Sequence, residues 1–216
     1  MKLLITAGPT REPIDPVRYL TNRSSGRMGF ALAEAAIEAG HEVVLISGPV
    51  AIAEPADAEV IRVETAQEMY NSVEREIDSC EAAIFCAAVA DYRVANVEDS
   101  KIKKSEDELT LTFVKNPDIL GSVREKFGFK GVLVGFAAET DEVLDHAREK
   151  LERKGCDLLV ANDVGRSDIG FDHENNEVTL LFRDGTSRAL PLATKREIAA
   201  ELILALEDLL RRGVGE

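Results

Sequence analysis

Cysteine and histidine are scarce in this chain, three of each among 216 residues, and tryptophan is absent. Cys80, Cys86 and Cys156 are odd in number and far apart, which argues against a disulfide framework or a zinc site; buried, reduced thiols are expected. His41, His146 and His173 have no metal-ligand spacing with one another or with a cysteine. Nothing in the spacing favours a Ser-His-Asp triad. Basic residues are also in the minority, 26 Lys and Arg against 40 Asp and Glu, for a net charge of −14. Phosphate contacts with nucleic acid need a basic surface, so no nucleic-acid partner is expected. Apolar runs long enough to cross a membrane are missing, and Met1-Lys2-Leu3-Leu4-Ile5 leads straight into a strand. The expectation is a cytoplasmic protein with no membrane partner. Hydrophobic residues make up 45%, enough for one core and a single domain over residues 1–216.

What is present is an alternation of apolar strand-like runs and helical patterns. Strands are expected at 2–7, 42–47, 82–87, 131–136 and 157–161, with a short edge strand at 59–63. Helices are expected at 27–39, from Thr65 to Asp78, from Pro117 to Lys126, at 140–154 and from Thr194 to Arg212. Thr65 with Glu68, and Thr194 with Glu197, are capping-box pairs. Gly40 and Gly155 suit helix ends, and Pro117 suits a first turn. This order predicts an α/β fold, a Rossmann-like three-layer αβα arrangement with a mostly parallel central sheet. Two features stand outside it. Residues 109–114 alternate with period two. The segments 176–182 and 186–190 flank Arg183-Asp184-Gly185, a hairpin signal. They are expected to extend the sheet, form a lobe or pair across a dimer.

Between the first strand and the first helix lie nineteen residues, Gly8 to Gly26. Such connections usually take about 2–6 residues. The loop is rich in Arg, Pro, Gly and Ser, and it sits where open α/β sheets hold ligands, at the carboxyl end of a strand. Arg11, Arg18, Arg23 and Arg27 outnumber Glu12 and Asp15 in it, a positive island in an acidic protein. Ser24, Ser25 and Gly26 open the helix, where backbone N–H groups bind anions and a glycine lets a phosphate or carboxylate approach. Gly29 suits close packing of helix on sheet. A nicotinamide dinucleotide fits poorly. The glycines end a long loop instead of forming a tight turn. The acidic residue expected about 20 residues on, for the ribose hydroxyls, is replaced by Ser47-Gly48-Pro49.

Other strand ends carry further candidates. Cys86-Ala87-Ala88-Val89-Ala90 is a run of small residues that admits a flat base or sugar. Asp91 follows it and could bind a ribose, a base or a magnesium ion; a helix or turn cap is the alternative. Lys101, Lys103 and Lys104, with the polar stretch 105–108, read as a flap carrying cations over a phosphate, against an ordinary solvated face. Lys150 and Lys154 share one helical face.

The segments ITAGPTREPIDPVRYLTNRSSGRMGF, AAVADYR, KIKK, VKNPDIL, VGFAAET and ANDV, in this order and spacing, resemble the phosphopantothenate–cysteine ligase (phosphopantothenoylcysteine synthetase) family, in its bacterial, CTP-using form. The resemblance runs from Lys2 to about Leu210. It implies a reaction of coenzyme A biosynthesis. The carboxylate of 4'-phosphopantothenate attacks the α-phosphate of CTP, giving an acyl-cytidylate and pyrophosphate. The amine of L-cysteine then displaces CMP. Magnesium (Mg2+) would accompany the triphosphate. Such chemistry needs positioning and charge neutralisation more than a nucleophilic side chain, in keeping with the few histidines.

By matching position, the resemblance gives Lys101 the charge of the triphosphate and Asn22 the reacting carboxylate and the acyl carbonyl. Arg18 helps order that substrate. Asp91, Pro117, Asp118, Ile119, Leu120, Phe136, Lys150 and Lys154 fall to the CTP site. Many bacterial relatives carry a flavin-dependent decarboxylase half ahead of this domain. In 216 residues beginning Met1-Lys2-Leu3 there is no room for it. No flavin is therefore expected in this chain, which is either a monofunctional enzyme or the second half of a longer polypeptide. The family's dimers imply a homodimer, with the strand at 109–114 and the late hairpin as candidate contacts. Two other readings compete: an NADP-linked Rossmann oxidoreductase, which finds no task for Arg18 or Asn22, and a non-catalytic nucleotide-binding module, which leaves Lys101 unexplained.

Overall fold

The computed structural model describes residues 1–104, 108–139, 143–163 and 174–213. Strand β1 (Lys2–Ala7) is apolar from Leu3 to Ile5 and buried there on both faces, as a central parallel strand must be. The long connection after it is not structureless. It folds into a hairpin of β2 (Arg11–Asp15) and β3 (Arg18–Thr21) before helix α1 (Arg27–Glu38) begins. Then follow β4 (Glu42–Ser47), β5 (Ala58–Arg62), α2 (Ala66–Glu76) and β6 (Ala82–Phe85). A small ribbon pairs β7 (Tyr92–Val94) with β8 (Phe113–Lys115). Helix α3 (Ile119–Glu125), β9 (Val132–Glu139), α4 (Val143–Lys154) and β10 (Leu158–Asp163) complete the winding. Last come β11 (Asn175–Phe182), β12 (Ser187–Thr194) and α5 (Lys195–Arg212).

The main sheet runs β12-β11-β10-β9-β6-β1-β4-β5. Its parallel part, taken in sequence order of its strands, is 3-2-1-4-5-6, the order of dinucleotide-binding folds. The chain reverses direction across the sheet between β1 and β6. Each face is covered. Phe30, Leu32 and Ala36 of α1 and Ile198, Leu202 and Leu206 of α5 pack one side. Met69 and Val73 of α2, Val123 of α3 and Leu151 of α4 pack the other. The Rossmann-like αβα architecture is therefore as expected, and the late hairpin extends the sheet with antiparallel β11 and β12. Pro191 sits on the edge strand β12, where a missing N–H costs no ladder bond.

Local signals translate directly. Both capping boxes form, Thr65 with Glu68 and Thr194 with Glu197. Gly29 lets α1 lie on β1: a Cβ there would sit 2.5 Å from that of Ala7. Two expectations change. The strand foreseen at 109–114 pairs only over Phe113–Lys115, because its partner β7 has three residues, and the ribbon stands apart from the main sheet as a lobe. The helix foreseen from Pro117 starts at Ile119, because the Asp118 side chain accepts the Gly121 N–H at 2.9 Å and so caps it. Of the segments named above, 105–107, 140–142 and 164–173 lie outside the described residues.

Candidate active site at the strand ends

Two contiguous cavities open at the carboxyl ends of β1, β6 and β9, beside the point where the chain reverses. The larger, about 570 Å³, is floored by Thr6, Phe85 and Ala87. Asp91, Pro117, Asp118, Ile119, Leu120, Phe136, Lys150 and Lys154, the residues named above by resemblance, all line it. The smaller, about 270 Å³, is lined by Asn22, Ser24 and Gly26 of the long loop. Ala87, Val89, Phe136 and Lys150 are common to both, so they form the shared wall.

Charge in the larger cavity opposes that of the whole protein. Lys115, Lys150, Arg153 and Lys154 face Asp91 and Asp118. Helix α4 presents three of these cations because positions three and four apart share one face. Lys154 is largely buried and bonds the Asp118 carboxylate. Partial burial acts to raise the Asp118 pKa, but the Lys154 ammonium and the Gly121 N–H outweigh it and hold the group below its ordinary value. Asn116 is fixed by its Nδ2–H to the Ala90 carbonyl, 2.8 Å, and Arg93 donates to the Lys115 carbonyl, 2.7 Å. These bonds tie the β7–β8 ribbon to the cavity rim.

The smaller cavity is quieter. Asn22 Nδ2 donates to the Ala88 carbonyl at 2.9 Å, which locks the loop onto the end of β6. An amide nitrogen carries two hydrogens, so one is left for a ligand. Gly26 caps α1 at φ 79° with no side-chain cap bond, and its N–H meets Ser24 Oγ at 3.3 Å. Its glycine is required by neighbours as well as by φ. A Cβ would lie 2.6 Å from Val50 and 3.3 Å from Gly8. Cys86 lines this cavity, and burial pushes its thiol up to about 12, with Lys195 opposing, so it is no thiolate at neutral pH.

Arg18 and Lys101 line neither cavity. Both belong to the neighbouring hairpin-and-flap region, where Arg18 Nη2 donates to the Ile102 carbonyl at 3.2 Å. Ser25 sits beside Ser24 at the entry to α1 without lining either space. Several lining residues escaped the sequence reading. Arg153 lies three residues beyond Lys150 and was legible from helical spacing. Lys195, buried at the first position of α5, opposes the helix dipole, and that anomaly was its only signal. Asn162 Oδ1, which lines the same cavity, is buried and finds no partner among the described residues. Among those residues, too, no three His, Cys, Asp or Glu side chains gather as a metal cage. A magnesium ion that travels with a triphosphate needs only one or two protein carboxylates, and Asp91 on the cavity wall is a carboxylate suited to one.

A doubly wound sheet with adjoining cavities at its switch point, one of them ringed by cations, defines a Rossmann-like α/β domain with an anion-accepting site. The chain belongs to the DNA/pantothenate metabolism flavoprotein C-terminal domain family, which matches residues 1–209. It is 49% identical over 210 residues to the coenzyme A biosynthesis bifunctional protein CoaBC of Vibrio vulnificus, covering 96% of this chain and 52% of that one. Against the protein of that name from Escherichia coli K12 it is 47% identical over 207 residues, covering 94% and 50%. The crystal structure of the C-terminal domain of a CoaBC protein superposes with a TM-score of 0.84 at 40% identity, over 98% of this chain and 96% of that one. The chain thus spans about half the length of the relatives it matches.

Proposed function

We propose that the chain is a phosphopantothenate–cysteine ligase that uses CTP, forms an acyl-cytidylate and releases pyrophosphate and then CMP. The observation that carries this is the pair of cavities with a common wall. A reaction that joins a carboxylate to a nucleotide phosphate needs two sites whose reacting ends meet. Asn22 on one side and the α4 cations on the other supply them, with Phe136 and Lys150 between. The matched relatives are described as coenzyme A biosynthesis proteins, in line with that chemistry.

In this reading the nucleotide occupies the larger cavity. Its base and sugar lie against the small residues 87–90 and the turn at 117–120, and its phosphates lie near Lys150 and Lys154. Asp91 would hold magnesium, which supplies charge neutralisation to the triphosphate. The phosphopantothenate carboxylate lies in the smaller cavity on the Asn22 amide, and Ser24 and the first N–H groups of α1 face an anion there. Arg18 keeps a partly exposed guanidinium for ordering the substrate. Lys101 neutralises charge as pyrophosphate departs. Cysteine then attacks an acyl carbon still held at Asn22. The protein acts as a cytoplasmic homodimer. Tyr19, Leu20, Tyr92 and Phe113 are exposed on the two ribbons, and such apolar area is suited to a second copy.

Incubation with phosphopantothenate, cysteine, magnesium and either CTP or ATP tests this. Pyrophosphate should appear only when phosphopantothenate is present, and faster with CTP. None with either nucleotide would sink the ligase reading; a preference for ATP would sink only the nucleotide. Lys101→Ala should slow turnover roughly 10²-fold or more, the usual loss for one preorganised charge contact. Unchanged turnover would remove Lys101 from the site.

A further inference from the structure

Asp15 is a buried carboxylate without a task in the chemistry above. It closes the turn between β2 and β3, and its side chain has no solvent exposure. Its Oδ1 accepts the peptide N–H groups of Val17 and Arg18, each at 2.9 Å. Its Oδ2 accepts Arg18 Nε at 2.9 Å and also Arg18 Nη2. The remaining donor comes from 87 residues away: the Ile102 N–H reaches Oδ2 at 3.1 Å. Arg18 Nη2 in turn donates to the Ile102 carbonyl at 3.2 Å. One ion pair therefore grips the N–H and the C=O of a single flap residue. Upstream, the Glu98 N–H donates to the Ile14 carbonyl at 3.1 Å, so the flap's approach is tied to the same hairpin.

A turn does not need this much. The two bonds to Oδ1 are the ordinary Asx-type closure, which a neutral asparagine makes as well. The buried negative charge is explained by what Oδ2 holds. The Arg18 guanidinium keeps the Asp15 carboxyl far below the usual carboxylate range, so the charge persists at any working pH. Ile102 directly follows Lys101. We propose that Asp15, with Arg18 as its counter-ion, is a positioning residue that aims Lys101 by fixing the Ile102 peptide. This rests on the ligase reading, in which Lys101 meets the triphosphate. It also explains why Arg18 and Lys101 stand together outside both cavities: they form one unit, built on the hairpin of the long loop.

Catalysis by positioning is sensitive to about 1 Å, which can cost roughly 10²-fold. Asp15→Asn keeps Oδ1 for the turn but sets an NH2 group against three N–H donors, Arg18 Nε, Arg18 Nη2 and the Ile102 N–H. It should lower kcat roughly tenfold or more while KM for CTP moves less than about threefold. In a Lys101→Ala background the same change should add less than about twofold, because coupled residues are not additive. Amide hydrogen exchange at Ile102 should quicken, while Val17 and Arg18 keep their protection. Ile102→Pro, which removes the donor and leaves the hairpin intact, should reproduce the kcat loss. The proposal is overturned by wild-type kcat in Asp15→Asn and Ile102→Pro, by an equal further loss in the Lys101→Ala background, or by unchanged exchange at Ile102. Absence of pyrophosphate from the unmodified protein would instead sink the ligase reading, and the positioning role with it.

Discussion

Gly48 follows β4 at the place where a dinucleotide-binding fold carries its ribose-binding acid, and replacing it with alanine should be costly. Its φ is ordinary, so alanine meets no backbone penalty there. The cost lies in the neighbour: a Cβ would sit 1.9 Å from the Pro9 carbonyl oxygen and 2.8 Å from its carbon. Non-bonded heavy atoms settle near 3.5 Å, so the Pro9 peptide must retreat by about 1.5 Å. That peptide is held on its far side. The Thr10 N–H donates to Ala88 at 3.2 Å, Thr10 Oγ1 accepts from Ala90 at 2.9 Å and the Arg11 N–H donates to Glu64 at 2.7 Å. Overpacking costs about 1–3 kcal/mol. Losing one of these bonds adds about 0.5–1.5 kcal/mol. A total near 3 kcal/mol lowers Tm by ~6–12 °C for a chain of this size. Urea unfolding and thermal melts of Gly48→Ala measure it. Gly40→Ala is the control, because its φ of +82° is strained but nothing lies within 4 Å of its Cβ. There the left-handed penalty of about 1–2 kcal/mol is expected alone. A Gly48→Ala protein no less stable than Gly40→Ala would refute the close packing of Pro9 on β4.

Asn22→Ala should slow conversion of the acyl-cytidylate more than it weakens CTP binding. Mass spectrometry of quenched reactions should find the intermediate accumulating, and an equal loss of CTP affinity would contradict the assignment. The Lys154–Asp118 pair should show in acid unfolding. Asp118's pKa is lowered in the folded chain, so its stabilisation is complete above the ordinary 3.8 and is lost as pH falls through the lowered value. Lys154→Met should move the Asp118 titration upward in carboxylate NMR; an unmoved titration would leave the Gly121 N–H as its sole support.

The parts of the fold legible in the sequence were those set by local rules. Capping boxes and the apolar parallel strands each act within a few residues. The β2–β3 hairpin was hidden for the opposite reason. Its sequence, Arg11-Glu12-Pro13-Ile14-Asp15, buries two acids, which is not how a strand reads. Glu12 is buried because it accepts the Ala66 N–H at the start of α2, 2.9 Å away, and Asp15 because it holds Ile102. Both partners are far along the chain. The site divided in the same way. The α4 cations follow from helical spacing, whereas Lys195 and Asn162 reach the smaller cavity only through the tertiary fold.

The order of the parallel strands invites a nicotinamide dinucleotide, and the same strands supply the reason it does not fit. Such a ligand straddles the switch point and rests its adenosine half beyond β1, on the strand corresponding to β4. Here that end is closed. The Gly48 N–H donates to the Ala7 carbonyl at 2.9 Å, and the Pro9 peptide fills the space above Gly48. No residue of β4 or β5 lines either cavity. Both cavities instead spread from β1 towards β6, β9 and α4. In the proposed ligase, a mononucleotide on that side would leave the β1–α1 loop free to carry the second substrate, and a loop serving two ligands would be longer than a tight glycine turn. On that proposal the closure by Pro9 and the length of the loop serve one end, joining two molecules, and the proposal needs no hydride to pass between them.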